Sequence, residues 1–142
     1  MHKFRFLLLL AVAALGLPSF SSAAGLEGVE WTLTDVNGKP FVAPAGGRGA
    51  PTLHRDAEKK KASGFSGVNR YFGGYKLDGA KLKFGQLAST MMAGPPEAMA
   101  TESTIHAMLA SVTGWRIADG ALALLHDDKV VARFASRPVA EK

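Results

Sequence analysis

The sequence predicts a mainly β (α+β) fold: an antiparallel, barrel-like sheet of about seven to nine short strands with one packed α-helix. Three observations lead there. Short β-type runs are separated by Asn37-Gly38, Asp78-Gly79 and Asp119-Gly120, dipeptides whose tolerance of positive φ closes tight hairpins. Only one segment, beginning at Pro95-Pro96, carries apolar residues at helical spacing. The chain also lacks cysteine, so an exported domain of this size must be held by packing and not by disulfides.

The 142 residues open on a leader. His2, Lys3 and Arg5 form a basic start, Phe6 to Leu17 runs without charge, and Pro18 breaks the run. Ser22-Ala23-Ala24 places small residues at the −3 and −1 positions of a cleavage site, completing the pattern of a secretory signal over residues 1–24. The apolar run is short of the ~20 residues a membrane span needs. No cysteine follows it, so lipid attachment there is excluded, and a periplasmic or secreted protein is expected, with no transmembrane span after cleavage. Removing Lys3 and Arg5 takes the formal charge from +5 to +3. That modest balance does not call for a nucleic-acid partner.

Within residues 25–142, Leu26 to Val36 reads as the first strand, followed by the Asn37-Gly38 turn. Pro40 to Pro51 is a glycine-rich loop. Thr52 to Ala57 and Ala62 to Ser66 read as strands around the Glu58 to Lys61 turn, and Gly64, Gly67, Gly73 and Gly74 mark bulges or close backbone approaches. Tyr75 to Leu77 and Lys81 to Phe84 flank Asp78-Gly79, and Gln86 to Met92 is a candidate strand. Pro95-Pro96 then opens the helix. Ala98, Ile105, Met108, Leu109 and Val112 share one face, and Gly114 is the expected C′ residue. Trp115 to Ala118 and Ala121 to Leu125 form a hairpin, Lys129 to Ala135 is the last strand, and residues from about 136 to 142 are expected to fray.

Ser63-Gly64-Phe65-Ser66-Gly67-Val68-Asn69-Arg70-Tyr71-Phe72-Gly73-Gly74-Tyr75 resembles the central signature of the HslJ-like META domain family. Trp31-Thr32-Leu33, Leu82-Lys83-Phe84-Gly85 and Leu87 to Ala93 agree with it in order. The resemblance implies a small β-barrel-like domain over residues 25–142, an exported or envelope setting, and links to stress response, motility or virulence. It implies no catalytic activity. Family members often carry a cysteine pair where this chain has Val68 and Gly94, and arginine where it has Met91. Joint loss of the pair is what a bridge between those positions implies, and it places Val68 beside Gly94.

No catalytic, cofactor-binding or metal-binding residue is assigned. Gly64-Phe65-Ser66-Gly67 departs from a nucleophile elbow because Val68 stands where glycine is needed. His54, His106 and His126 are scattered singly and read as surface or turn residues. His126-Asp127-Asp128 reads as a polar turn and Lys59-Lys60-Lys61 as a solvated one. Asn69, Arg70 and Tyr71 are the candidate contact residues for a partner or ligand. Their plainer reading puts Asn69 on neighbouring backbone and Tyr71 in the core, leaving Arg70 to face outward. The expected function is a non-enzymatic, monomeric binding or accessory domain whose partner is an envelope protein or a small apolar ligand. The alternatives are a ligand-enclosing β-barrel and, further off, a hydrolase with an unfamiliar carboxylate or serine arrangement.

Overall fold

The computed structural model describes residues 27–137; the leader, its cleavage site and residues 138–142 lie outside the described residues. The strands are β1 (Glu30–Val36), β2 (Lys39–Pro40), β3 (Thr52–Asp56), β4 (Lys61–Phe65), β5 (Arg70–Asp78), β6 (Lys81–Phe84) and β7 (Ala88–Ser89). The helix α1 (Pro96–Ser111) follows, then β8 (Gly114–Ala118), β9 (Ala121–His126) and β10 (Lys129–Arg137).

Turn chemistry sets the hairpins. Asn37 and Gly38 take φ of 50° and 78°, and Asp119 and Gly120 take 53° and 74°. Both central residues of each turn are therefore left-handed, matching the right-handed twist of the flanking strands. Eight strands of four or more residues follow one another around a ring, β1-β3-β4-β5-β6-β8-β9-β10, and β10 pairs back on β1. All the pairings are antiparallel, from Glu30 opposite Arg137 to Val36 opposite Ala132 at the closing seam. Two-residue strands β2 and β7 lie alongside β1 and β5. Closure removes the exposed sheet edges that invite aggregation. Register shifts between Leu33 and Asp35 and between Val130 and Ala132 add the local twist and bend that curvature needs.

Alternation along the strands fills the barrel. Trp31, Leu33, Leu53, Tyr71, Tyr75, Leu82, Phe84, Trp115, Leu122, Leu124 and Phe134 all join one buried cluster. Ile105, Met108, Leu109 and Val112 bring the apolar face of α1 onto it. Gly64 is where two interior groups meet: a Cβ there would run into the Thr52 carbonyl oxygen and lie 2.6 Å from the Tyr71 hydroxyl.

Four elements differ from the sequence expectation. The glycine-punctuated stretch is not broken, because Arg70–Asp78 is one nine-residue strand. Of Gln86 to Met92, only Ala88–Ser89 pairs with β5; beyond it the backbone is held by Asn69 instead. Gly114 is not a left-handed cap. Val112 takes an extended conformation (φ −65°, ψ 131°) with its N–H donating to Leu109, and Thr113 N–H donates to Leu125 at 2.8 Å. Sheet pairing thus takes the chain directly from helix to strand. At the C-terminal side, β10 runs on past Ala135, with Ser136 opposite Trp31 and Arg137 opposite Glu30.

Candidate functional site

The corner between β4 and β5 (residues 66–69) carries the family-like motif, and α1 lies against it. Glu102 is on the buried face of α1, 8% exposed. Its Oε1 accepts from the Asn69 backbone N–H at 2.7 Å and from Ser66 Oγ at 2.9 Å, and its Oε2 accepts from Asn69 Nδ2 at 2.9 Å. Burial pushes this carboxyl up, but donation from the Asn69 side chain and backbone and from Ser66, with His106 nearby, more than offsets it. The group ends below its ordinary range.

Asn69 is 3% exposed and every polar atom of it is engaged. Its Nδ2 also donates to the Met92 carbonyl at 3.0 Å, while Oδ1 accepts from Thr90 Oγ1 at 2.9 Å and Met92 N–H at 2.7 Å. Its carbonyl accepts the Ser66 N–H at 3.0 Å. One amide therefore ties together the β4–β5 corner, the segment after β7 and, through Glu102, the helix. Tyr71 is buried beneath, donating to the Thr52 carbonyl at 2.6 Å and packed edge-on against His106. Burial raises its hydroxyl well above the ordinary phenol range.

Arg70 is the exposed member of the trio. Its backbone N–H donates to Thr90 Oγ1 at 3.1 Å and its carbonyl accepts the Thr90 N–H at 3.0 Å, which fixes the strand; the guanidinium forms no ion pair among the described residues. That guanidinium borders an open hollow of about 500 Å³, floored by Phe65, Val68 and Met92 and flanked by Arg48 and Thr90.

Val68 and Gly94 meet beside this hollow. A Cβ on Gly94 would stand 3.4 Å from Val68 Cβ and 2.6 Å from Val68 Cγ2. The family-implied pairing therefore fits the backbone, with branched bulk on one side and glycine on the other taking the place of a bridge.

Sequence reasoning missed Glu102 and misplaced His106. His106 is half-buried on α1, with Nε2 3.2 Å from Ser66 Oγ. The contact has the wrong polarity for an activated serine. Ser66 Oγ carries one proton and has two acceptors in reach, Glu102 Oε1 at 2.9 Å and the Asn69 carbonyl at 3.1 Å; with its proton on either, His106 Nε2 can only donate to it. Ser66 is also fully buried. His126 is exposed and its Nδ1 donates to the Ser111 carbonyl at 2.6 Å, closing the helix C-terminus. Asp56 accepts from Glu58 and Lys59 N–H and so shapes the lysine turn.

A second buried polar group lies on the barrel wall. Arg55 is 0% exposed, stacked 3.9 Å over the Tyr75 ring and paired with Glu27 at 3.2 Å. Its Nε and Nη1 have no hydrogen-bond partner among the described residues. Among the described residues, no cluster of three or more metal-ligating side chains occurs, and no helix is long and apolar enough to cross a membrane.

The META domain family model matches residues 24–138. The chain belongs to the META domain family. Two solved structures share its fold. An NMR structure of a protein from Burkholderia xenovorans is 27% identical, with a TM-score of 0.63, covering 88% of this chain and 94% of that one. A second NMR structure is also 27% identical, with a TM-score of 0.61, covering 80% of this chain and 93% of its own. No curated protein matches the chain.

Proposed function

We propose that this META domain is an exported, non-enzymatic binding protein that serves the cell envelope under stress, with its contact surface centred on Arg70. The observation that carries this reading is the division of labour within the signature. Asn69 and Tyr71 are consumed by the scaffold, while the Arg70 guanidinium, without an ion pair among the described residues, stands beside the hollow shared with Arg48. Two cations over an apolar floor suit an anionic group carried on an apolar partner. The interior works against a ligand enclosed by the barrel, because aromatic and aliphatic side chains fill it. The Ser66 proton, directed to Glu102 or to the Asn69 carbonyl, works against a serine hydrolase.

Two measurements test this. Fractionation of cells expressing the full chain should recover a processed protein beginning at Gly25 outside the cytoplasm; full-length cytoplasmic protein would overturn the export reading. A thermal-shift screen of the processed protein should find compounds that stabilise it and no longer do so in Arg70→Ala. Stabilisation that survives the substitution would move the site elsewhere.

A further inference from the structure

We infer that the outer face of β4, β5 and β6 is a docking surface for a bilayer containing anionic phospholipid. This rests on the envelope reading above only for its setting. The observation is a sheet face on which cations outnumber carboxylates. Strand alternation turns Ala62, Tyr71, Tyr75, Leu82 and Phe84 inward, and Lys61, Arg70, Lys76, Lys81 and Lys83 outward. None of these five cations forms an ion pair among the described residues. Lys76 and Lys83 stand directly opposite each other in the β5–β6 ladder, a like-charge pairing that destabilises a sheet. The carboxylates nearest on this face are Asp78, opposite Lys81, Asp56 of β3, opposite Lys61 and turned to the Glu58 and Lys59 N–H groups, and Glu58 on the adjoining turn. The face therefore keeps a positive excess at a cost in stability, as expected where an anionic partner supplies the missing charge.

Charge alone suits a lipid surface or a soluble polyanion, because the register sets Lys61, Lys76, Lys83 and Lys81 along one diagonal across the three strands. Exposed apolar side chains on and beside this face favour the lipid. Phe72, between Arg70 and Gly74 on the outward row of β5, is 52% exposed, and Met91, next to Thr90 that clasps Arg70, is 94% exposed. A polymer in water gains little from such groups, whereas a bilayer interface buries them.

Sedimentation with vesicles tests the inference directly. The processed protein should bind vesicles of mixed phosphatidylglycerol and phosphatidylethanolamine, release as salt rises, and ignore vesicles of phosphatidylcholine. Lys76→Glu with Lys83→Glu should weaken binding by at least about fivefold for each cation removed. Lys39→Glu with Lys129→Glu makes the same change in net charge elsewhere and should leave binding within about twofold of the parent, if charge position rather than total charge governs attachment. Phe72→Ser should weaken binding several-fold with its unfolding transition intact. Lys83→Glu alone has a second readout: it replaces the repulsion with an opposite-charge pair, so it should raise the thermal midpoint while lowering vesicle affinity. Equal losses in both double variants, binding independent of Phe72, or equally tight binding to soluble dextran sulfate would each overturn the inference. Export without vesicle binding would sink this surface alone; vesicle binding by a cytoplasmic protein would sink only the export reading.

Discussion

Glu102 sits four residues after Ala98 and three before Ile105, squarely on the buried face of α1, and three donors reach it. Glu102→Ala leaves the buried Asn69 N–H without its acceptor, removes one of the two acceptors of the Asn69 amide and turns the Ser66 hydroxyl to the Asn69 carbonyl alone, and should cost about 3 kcal/mol in denaturant unfolding. The pH dependence has a definite sign. The folded carboxyl titrates below its ordinary value of 4.5, so its contribution is fully present above that value. It is lost as pH falls through the depressed one. Glu102→Gln removes this titration, and the stability gap between parent and variant should narrow when unfolding is compared at neutral and strongly acidic pH. A gap that stays constant would mean the carboxyl is not held ionised by this corner. Glu102 was hidden in the sequence because a glutamate inside Ala-Thr-Glu-Ser-Thr reads as solvent-facing. Its position on the wheel with Ala98, Ile105 and Leu109 was the available signal. Asn69 and Tyr71 were read both as contact residues and as scaffold, and their burial and hydrogen bonds follow the second reading. Arg55 was not, because nothing local distinguishes a buried arginine from an exposed one. Glu27→Gln should cost about 3 kcal/mol by stranding that cation, measured against Arg55→Met, which removes both the charge and its need for a partner and should cost much less.

Among the elements, the hairpins were readable because Asn-Gly and Asp-Gly dictate backbone sign, and the start of α1 because proline fits its first turn. The end of α1 was not readable, since pairing of Thr113 with Leu125 replaces a local cap with a distant partner. Strand β5 was obscured by glycine spacing, and the glycines of β4 and β5 differ in use: Gly64 serves the close backbone approach read from the sequence, while Gly74 has open space beside it. A matched pair of substitutions checks this. Gly64→Ala drives a methyl onto the Thr52 carbonyl and should cost about 3 kcal/mol, whereas Gly74→Ala meets nothing nearer than 3.9 Å and should be nearly neutral. The Val68–Gly94 contact makes a second element-scale prediction. Gly94→Cys alone clashes with Val68 and should destabilise. Combined with Val68→Cys it should form a bridge worth about 3 kcal/mol, seen as a reductant-sensitive rise in the unfolding midpoint. A double variant that stays reduced in air would contradict the register of the segment after β7 against the β4–β5 corner.

At the scale of the whole molecule, eight longer strands close into a ring around a core that one face of α1 joins. The barrel class was legible from strand spacing and turns. The ring closure of β10 on β1 was not, because it joins the two ends of the domain through contacts with no local signature. The central claim is that the signature motif divides into scaffold and contact, and equilibrium unfolding of two neighbouring variants tests it most directly. Asn69→Ala should lose about 3 kcal/mol by leaving Glu102 Oε2, the Thr90 hydroxyl and the Met92 backbone without their partner, while Arg70→Ala should stay within about 0.5 kcal/mol of the parent. A stable Asn69→Ala, or an Arg70→Ala that unfolds as readily as its neighbour, would contradict that division.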